Sequence, residues 1–510
     1  MADLTETHIA ALDLGTSKMS LAVAKVNGRD VQIVYYKEAP SAGVRYSGVW
    51  NMMQASDPIS SLISDANNDL GLNITQAIVG IPKYPVRQES NSGKVMDRGE
   101  DTEITAEDIA NLKRFAKETY PLNDPAKEAI YGAVAQSFSD GEDFFQIIEN
   151  DIIGMTSNTL EGHFKIFIGK KKELQNIDKA LSKAGITPKR KYFTAETTAK
   201  AVLTPAEMEN GVALIDFGGG STSLTIYYGN IMRHYASIPF GGKNITDDIK
   251  SECQISDTLA ENIKLAFGAC MPDRLQNLSE KVLHIRSNGA DADKQLPVKY
   301  LSEIITARVE EILYAIFYEI NESGMSDLIR SGIVITGGGA QIANLGSLVT
   351  ELSGYKVRTG YPLPRISGQD IDGLRETTAA TCMGLILAAL EDGAGNCAKA
   401  DTHCGPVHTD VEENISGGKS ASEADAAKTA TKERPAAETQ AGETQTGEIP
   451  AGEGGTLFND DDIEKVEPPK NGGKGKTNIF KMLWGQAQKA GKRISEETDK
   501  LIEDVSGEEV

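Results

Sequence analysis

Apolar and polar positions follow two rhythms over residues 1–392 of this 510-residue chain. Short β-branched and aliphatic runs at Ile9–Val26, Ala77–Ile81, Val212–Tyr228 and Gly332–Thr336 predict strands. Between them, Ile59–Leu70, Ala106–Thr119, Lys172–Lys183 and Val298–Asn321 read as helices. Strands alternating with helices predict a mixed α/β body.

The rhythm stops near Gly393. Residues 393–475 are rich in Ala, Thr, Glu, Gly and Lys and nearly free of aromatic side chains. Between Asp410 and Glu467 there are fifteen acidic and five basic residues, a net of −10. Such a segment cannot bury enough apolar surface to offset its ordering entropy and is expected to be a disordered linker. The charge then reverses. Seven basic residues and no acidic one lie between Lys470 and Ile494. Here apolar residues return at Phe480, Leu483, Trp484, Ala487, Ala490 and Ile494, the i, i+3, i+4, i+7 spacing of an amphipathic helix. Residues 476–505 are therefore expected to form a membrane-surface helix. Phe480, Leu483 and Trp484 would enter the interface, while Lys481, Lys489, Lys492 and Arg493 would face anionic headgroups. Sixteen residues with an acidic excess follow Ile494.

Composition narrows the function. An apolar content of 40% is enough for substantial cores, and a net charge of −22 argues against a nucleic-acid partner for the whole protein. Five cysteines without a C-x-x-C pair fit a reducing cytosol. The loose group Cys397, His403, Cys404 and His408 falls where the chain turns polar and is not read as a metal site. The N-terminus lacks a basic n-region and a long apolar core, so it does not read as a secretory signal. The longest apolar run, Met383 to Leu390, is far short of the roughly 18 residues that span a bilayer.

The chain also matches itself. AALDLGTSKMSLAV from Ala10 and ALIDFGGGSTSLTI from Ala213 align at an offset of 203 residues. The alignment pairs Asp13 with Asp216, Gly15 with Gly218, Ser20 with Ser223 and Leu21 with Leu224. Each copy reads as strand, Gly/Ser/Thr turn, strand, a hairpin signature. Glycine lets a backbone approach an anion closely, and turn N–H groups with Ser and Thr hydroxyls can wrap phosphate oxygens. A carboxylate at each strand end suits Mg2+ held through water. A third segment, SGIVITGGGAQIANL from Ser331, is strand, three glycines, helix. It fails the dinucleotide fingerprint because Ile342 stands at its last glycine position. Neither Gly418-Lys419-Ser420 nor Gly475-Lys476-Thr477 completes a P-loop, since Glu413 and Lys470 occupy the first glycine position.

IAALDLGTSKMSL, AETTAKAVL, LIDFGGGSTSL, VITGGGAQI and TAATCMGLILA resemble, in order, the five motifs of the actin, Hsp70 and sugar-kinase superfamily. The resemblance spans nearly all of residues 8–390 and implies a duplicated two-lobed ATPase fold with ATP and Mg2+ between the lobes. It implies that Asp13, Gly15, Thr16, Ser17 and Lys18 face Asp216, Gly218, Gly219, Gly220 and Ser221 across the phosphates, with Asp13 and Asp216 at the metal. It further places Gly337, Gly338 and Gly339 against adenosine, and Glu261 and Lys264 at the ribose or base. Glu196 matches a water-orienting catalytic carboxylate, although a Glu offsetting a helix dipole reads equally well there.

IPFGGKNITDDI (Ile238–Ile249) and IIGMTSNTLEGHFKIFIG (Ile152–Gly169) resemble the FtsA family within this superfamily. That resemblance implies subdomain 1A over 1–85, 166–203 and 363–392, with an inserted 1C over 86–165. It implies 2A over 204–241 and 320–362, and 2B over 242–319. By the same resemblance the protein tethers the C-terminal peptide of FtsZ, bound on 2B, to an anionic membrane. It self-associates into protofilaments and works with other division proteins on the cytoplasmic face of the inner membrane at the division site. ATP hydrolysis would be slow at most. The alternatives are a sugar or polyol kinase, which needs a base carboxylate and a sugar pocket, and an MreB- or PilM-like cytoskeletal ATPase. A chaperone-like ATPase would need a peptide-binding domain that the tail cannot supply.

Overall fold

The computed structural model describes residues 6–28, 30–141, 146–285, 294–368, 371–400 and 463–465. The membrane-helix expectation, with Phe480, Lys481, Leu483, Trp484, Lys489, Lys492 and Arg493, lies outside them, as do His403, Cys404 and His408.

The first lobe opens with an antiparallel meander of β1 (Thr7–Leu14), β2 (Lys18–Asn27) and β3 (Asp30–Pro40). A small hairpin follows, β4 (Val44–Arg45) with β5 (Gly48–Val49). Helix Met52–Leu70 then leads to β6 (Leu72–Ile74) and β7 (Gln76–Ile81). This helix starts seven residues before the expected Ile59, because the Asn51 side chain caps it by accepting from the Met53 and Gln54 N–H groups. After an insertion made of β8 (Val86–Glu103), β9 (Glu128–Ser139) and β10 (Thr156–Lys170), the chain returns as β11 (Thr187–Phe193). Strands β7 and β11 run parallel to β1, giving the order β3-β2-β1-β7-β11.

The second lobe repeats this plan. Strands β12 (Val212–Phe217), β13 (Thr222–Tyr228) and β14 (Ile231–Ile238) form the meander. An excursion carries the helices Gly242–Cys253, Asp257–Phe267 and Val298–Glu322 and the hairpin β15 (Lys281–Ile285) with β16 (Lys294–Pro297). Then β17 (Ile333–Thr336) and β18 (Val357–Thr359) add in parallel, giving β14-β13-β12-β17-β18. Register is also repeated: Asp13 lies opposite Ser20, and Asp216 opposite Ser223. The self-match is thus a duplicated sheet.

Strand periodicity aims the second carboxylate. Along β12, Ala213, Ile215 and Phe217 pack into the second lobe's own core, whereas Val212 and Leu214 pack with the first lobe's core. Side chains alternate at period two, so Asp216 shares the face of Leu214 and looks toward the first lobe. Helices Thr194–Val202 and Ala380–Glu391 cross each other in close contact. A Cβ on Gly384 would meet Thr197 O at 2.0 Å, so only glycine permits that crossing.

The insertion has its own core, with Ile109, Leu112, Phe138, Phe164 and Ile166 packed between β8-β10-β9 and helix Ala106–Glu118. A Thr105–Asp108 capping box starts that helix. The sheet continues to Lys170, past the expected boundary at 165, because Gly169 still pairs with Val86. The base of the insertion also grips β14, the edge strand of the second sheet. Gln88 accepts from the Tyr235 N–H at 2.9 Å, and Gln136 Nε2 donates to Met232 O at 3.0 Å. Beneath them Phe167 stacks on Phe193 with centroids 5.2 Å apart, and both meet Tyr235 edge-on.

The range read as linker contributes two short strands. Cys397 is buried and its N–H donates to His8 O at 2.7 Å, so β19 (Ala398–Ala400) pairs with β6 beyond the composition change at 393. Farther on, β20 (Ile463–Lys465) pairs antiparallel with β15. The disordered reading of 393–475 is therefore corrected at these two places, where the backbone pairs with β6 and β15.

Phe167 is fully buried beneath this seam. Phe167→Ala is expected to cost about 3–5 kcal/mol, measured as a lower urea midpoint at unchanged slope.

Candidate functional site

Between the lobes lies a cavity of about 560 Å³, within the common range for small-molecule sites. Its floor is the end of β1 and β12. The turn Gly15–Lys18 enters from the first lobe and Gly218–Gly219 from the second. The two turns touch: a Cβ on Gly219 would stand 2.0 Å from Ser17 Oγ, and one on Gly220 would stand 2.7 Å from Thr16 Oγ1. Gly220 and Ser221 lie behind the lining; Ser221 is buried, and its hydroxyl meets Ser47 Oγ at 2.7 Å.

Asp13 and Asp216 both line the cavity. Burial pushes the Asp13 carboxyl up to about 6; Lys83 opposes this and Asp216 adds to it. Lys83 donates to Asp216 across the lobes, with side chains 12% and 7% exposed. Burial pulls the Lys83 ammonium down, but Asp216 and Asp13 outweigh it and hold it above its ordinary range. On the opposite rim Lys18 donates to Glu38 Oε2 at 2.5 Å. Burial would raise Glu38, yet hydrogen bonds from Lys18 and Tyr36 keep its carboxyl low.

The far end is less charged. Lys264 Nζ lies 2.8 Å from Glu261 Oε2 and 2.9 Å from Gly242 O, which fixes both side chains at the cavity wall. Gly337, Gly338 and Gly339 face them beside Ile342. Asp216 pairs with Thr336, so the strand register puts Gly337 directly beyond the second carboxylate.

The cleft thus brings together every expected cofactor residue except Gly220 and Ser221. Glu196 is also placed elsewhere. It lies in the first turn of helix Thr194–Val202 but does not line the cavity; Thr194 does. Burial raises its carboxyl, with Lys200 opposing it.

Two residues escaped the sequence reading. Lys83 follows β7, and the C-terminal edge of a parallel strand is where α/β sheets bind ligands, a usable signal. Ser47 sits at the tip of the β4–β5 hairpin, where Tyr46 and Ser47 both adopt positive φ, 47° and 67°. Its N–H donates to Thr16 Oγ1 at 3.0 Å, so the hairpin covers both turns. Without an Asn-Gly pair that turn leaves little trace in sequence.

The sequence and fold match known proteins. The "Cell division protein FtsA" of Borreliella burgdorferi is 31% identical over 389 residues, 75% of this chain and 91% of the relative. The chain belongs to the FtsA family. The same-named protein of Neisseria meningitidis serogroup B is 30% identical over 386 residues, 75% of this chain and 90% of that one. The FtsA family model matches residues 213–384. Among solved structures, a "PilM-PilN type IV pilus biogenesis complex" chain matches with a TM-score of 0.50 at 15% identity, covering 75% of this chain and 98% of that one. This FtsA-family chain is therefore a cell division protein homologue with a mixed α/β, actin-like fold. Among the described residues no helix is long and apolar enough to cross a membrane, and no cluster of three or more His, Cys, Asp or Glu could hold a metal.

Asp13 holds its proton more tightly folded, about 6, than at its ordinary 3.8. The folded state then binds more protons between about pH 4 and 6, so this group lowers stability as pH rises through that window. Asp13→Asn should flatten that part of the profile, measured by urea denaturation from pH 4 to 7.

Proposed function

We propose that this FtsA-family chain is an ATP-binding adaptor that tethers FtsZ filaments to the cytoplasmic face of the inner membrane at the division site. The observation that carries the reading is the contact of two duplicated glycine turns with a carboxylate from each lobe beside them. The residues fit such a ligand. Thr16, Ser17, Gly218 and Gly219 line the cavity, where turn N–H groups and the two hydroxyls would meet phosphate oxygens. Asp13 and Asp216 offer hard oxygen donors, which suits Mg2+ held through water. When bound, that ion neutralises phosphate charge. Glu261 and Lys264 would hold the ribose or base against Gly337–Gly339. Glu196 is given no part, and we expect hydrolysis to be slow at most.

Adaptor work needs surfaces as well as a switch. The FtsZ peptide is assigned to 2B, the excursion from Gly242 to about Glu319. There an open groove between helices Gly242–Cys253 and Val298–Glu322 carries Arg308, divided between Asp248 and Glu311. Residues 476–505 would hold an anionic leaflet, with Lys481, Lys489, Lys492 and Arg493 each contributing on the order of 1 kcal/mol. Self-association into protofilaments and further division partners follow from the same family reading.

In a flotation assay, FtsZ should rise with anionic vesicles only when the full chain and ATP are present. Removing residues 477–510 should leave FtsZ at the bottom; co-flotation without that segment would refute the tether. Separately, Gly219→Val should reduce Mg·ATP affinity at least tenfold by calorimetry, because its side chain would collide with Ser17.

A further inference from the structure

Lys83 is an unusual cation. It comes from the first lobe, yet the second lobe holds it at both ends: its ammonium donates to Asp216, and its carbonyl accepts from Tyr235 Oη at 2.5 Å. The ammonium is nearly buried, and an unpaired buried charge is heavily penalised. Asp13 is the second carboxylate within its field. Two carboxylates at a shared site repel unless a cation lies with them. In this chain that cation is covalently attached.

We propose that Lys83 is a built-in counter-cation of the metal position, which makes divalent-metal binding conditional on nucleotide. The inference rests on the reading of the cleft as an Mg·nucleotide site. A free divalent ion seeking Asp13 and Asp216 must displace the buried ammonium that already sits with both. Repulsion between the two cations, at low effective dielectric, then opposes entry. A polyphosphate changes the balance. Its oxygens give the Lys83 ammonium a new partner within the same cavity, which frees the two carboxylates for the metal. The side chain needs only to swing, because its backbone stays fixed by Tyr235. Ammonium and carboxylate also belong to different lobes, so the pair draws the lobes together whenever the metal is not there to do so.

The test uses Mn2+ as probe and follows the free-ion electron paramagnetic resonance signal with the full-length protein. Wild type should bind Mn2+ strongly with a non-hydrolysable ATP analogue and at least tenfold more weakly without it. Lys83→Met, similar in length and uncharged, should gain Mn2+ binding without nucleotide, and adding Asp216→Asn should remove the gain. Lys83→Gln carries the same expectation should the methionine variant fail to fold, and Lys83→Arg should behave as wild type. Identical nucleotide-free Mn2+ titrations for wild type and the neutral variants would overturn the proposal. A wild type that fails to hold Mn2+ even with the analogue would instead overturn the nucleotide-site reading on which it rests.

Discussion

A single methyl group on the α-carbon of Gly219 would stand 2.0 Å from Ser17 Oγ of the other lobe, so one of the two would have to move. The contact of that glycine with Ser17, repeated by Gly220 against Thr16, sets the width of the cleft. Everything chemical in the cleft inherits that spacing. It brings carboxylates from two separate sheets into one electrostatic field and lets a lysine on one lobe reach an aspartate on the other. It also brings Ser47 and Ser221 within 2.7 Å. The closeness of the two turns is a constraint that every polar bond across the cleft shares.

The duplication makes half of this site legible without coordinates. A strand, a turn and a second strand repeated in register carry their own pairing, so Asp13 and Asp216 could be matched before any sheet was seen. Lys83 and Ser47 lack that redundancy. Each occurs once, at a position the self-match does not cover, and each acts through a contact distant in sequence. Glu196 shows a different limit. It lies two residues beyond Thr194 on one helix, which rotates it by roughly 200°, so the same motif can aim one residue at the cleft and the other away. The end of the body was misjudged because composition turns polar before packing ends: Cys397 and Ala398 still have core to enter.

The inserted subdomain has a dual role in this architecture. It is a separate core with its own capped helix, yet its base covers β14, which would otherwise be an exposed strand edge. Gln88 and Gln136 read the β14 backbone directly, and Tyr235 links the same strand to the carbonyl of Lys83. The insertion is thereby joined to the second lobe through a strand and not through a loop.

The short pairing of β20 with β15 alters the mechanics of the C-terminus. Strand β19 pairs with β6 of the first lobe, whereas β20 pairs with β15 of the second. A pull on β20 would load the excursion of the second lobe and act on three residue pairs, Lys465 with Lys281, Glu464 with Val282 and Ile463 with Leu283. Its resistance would be that of three backbone pairs, and the force would fall on one particular half of the cleft.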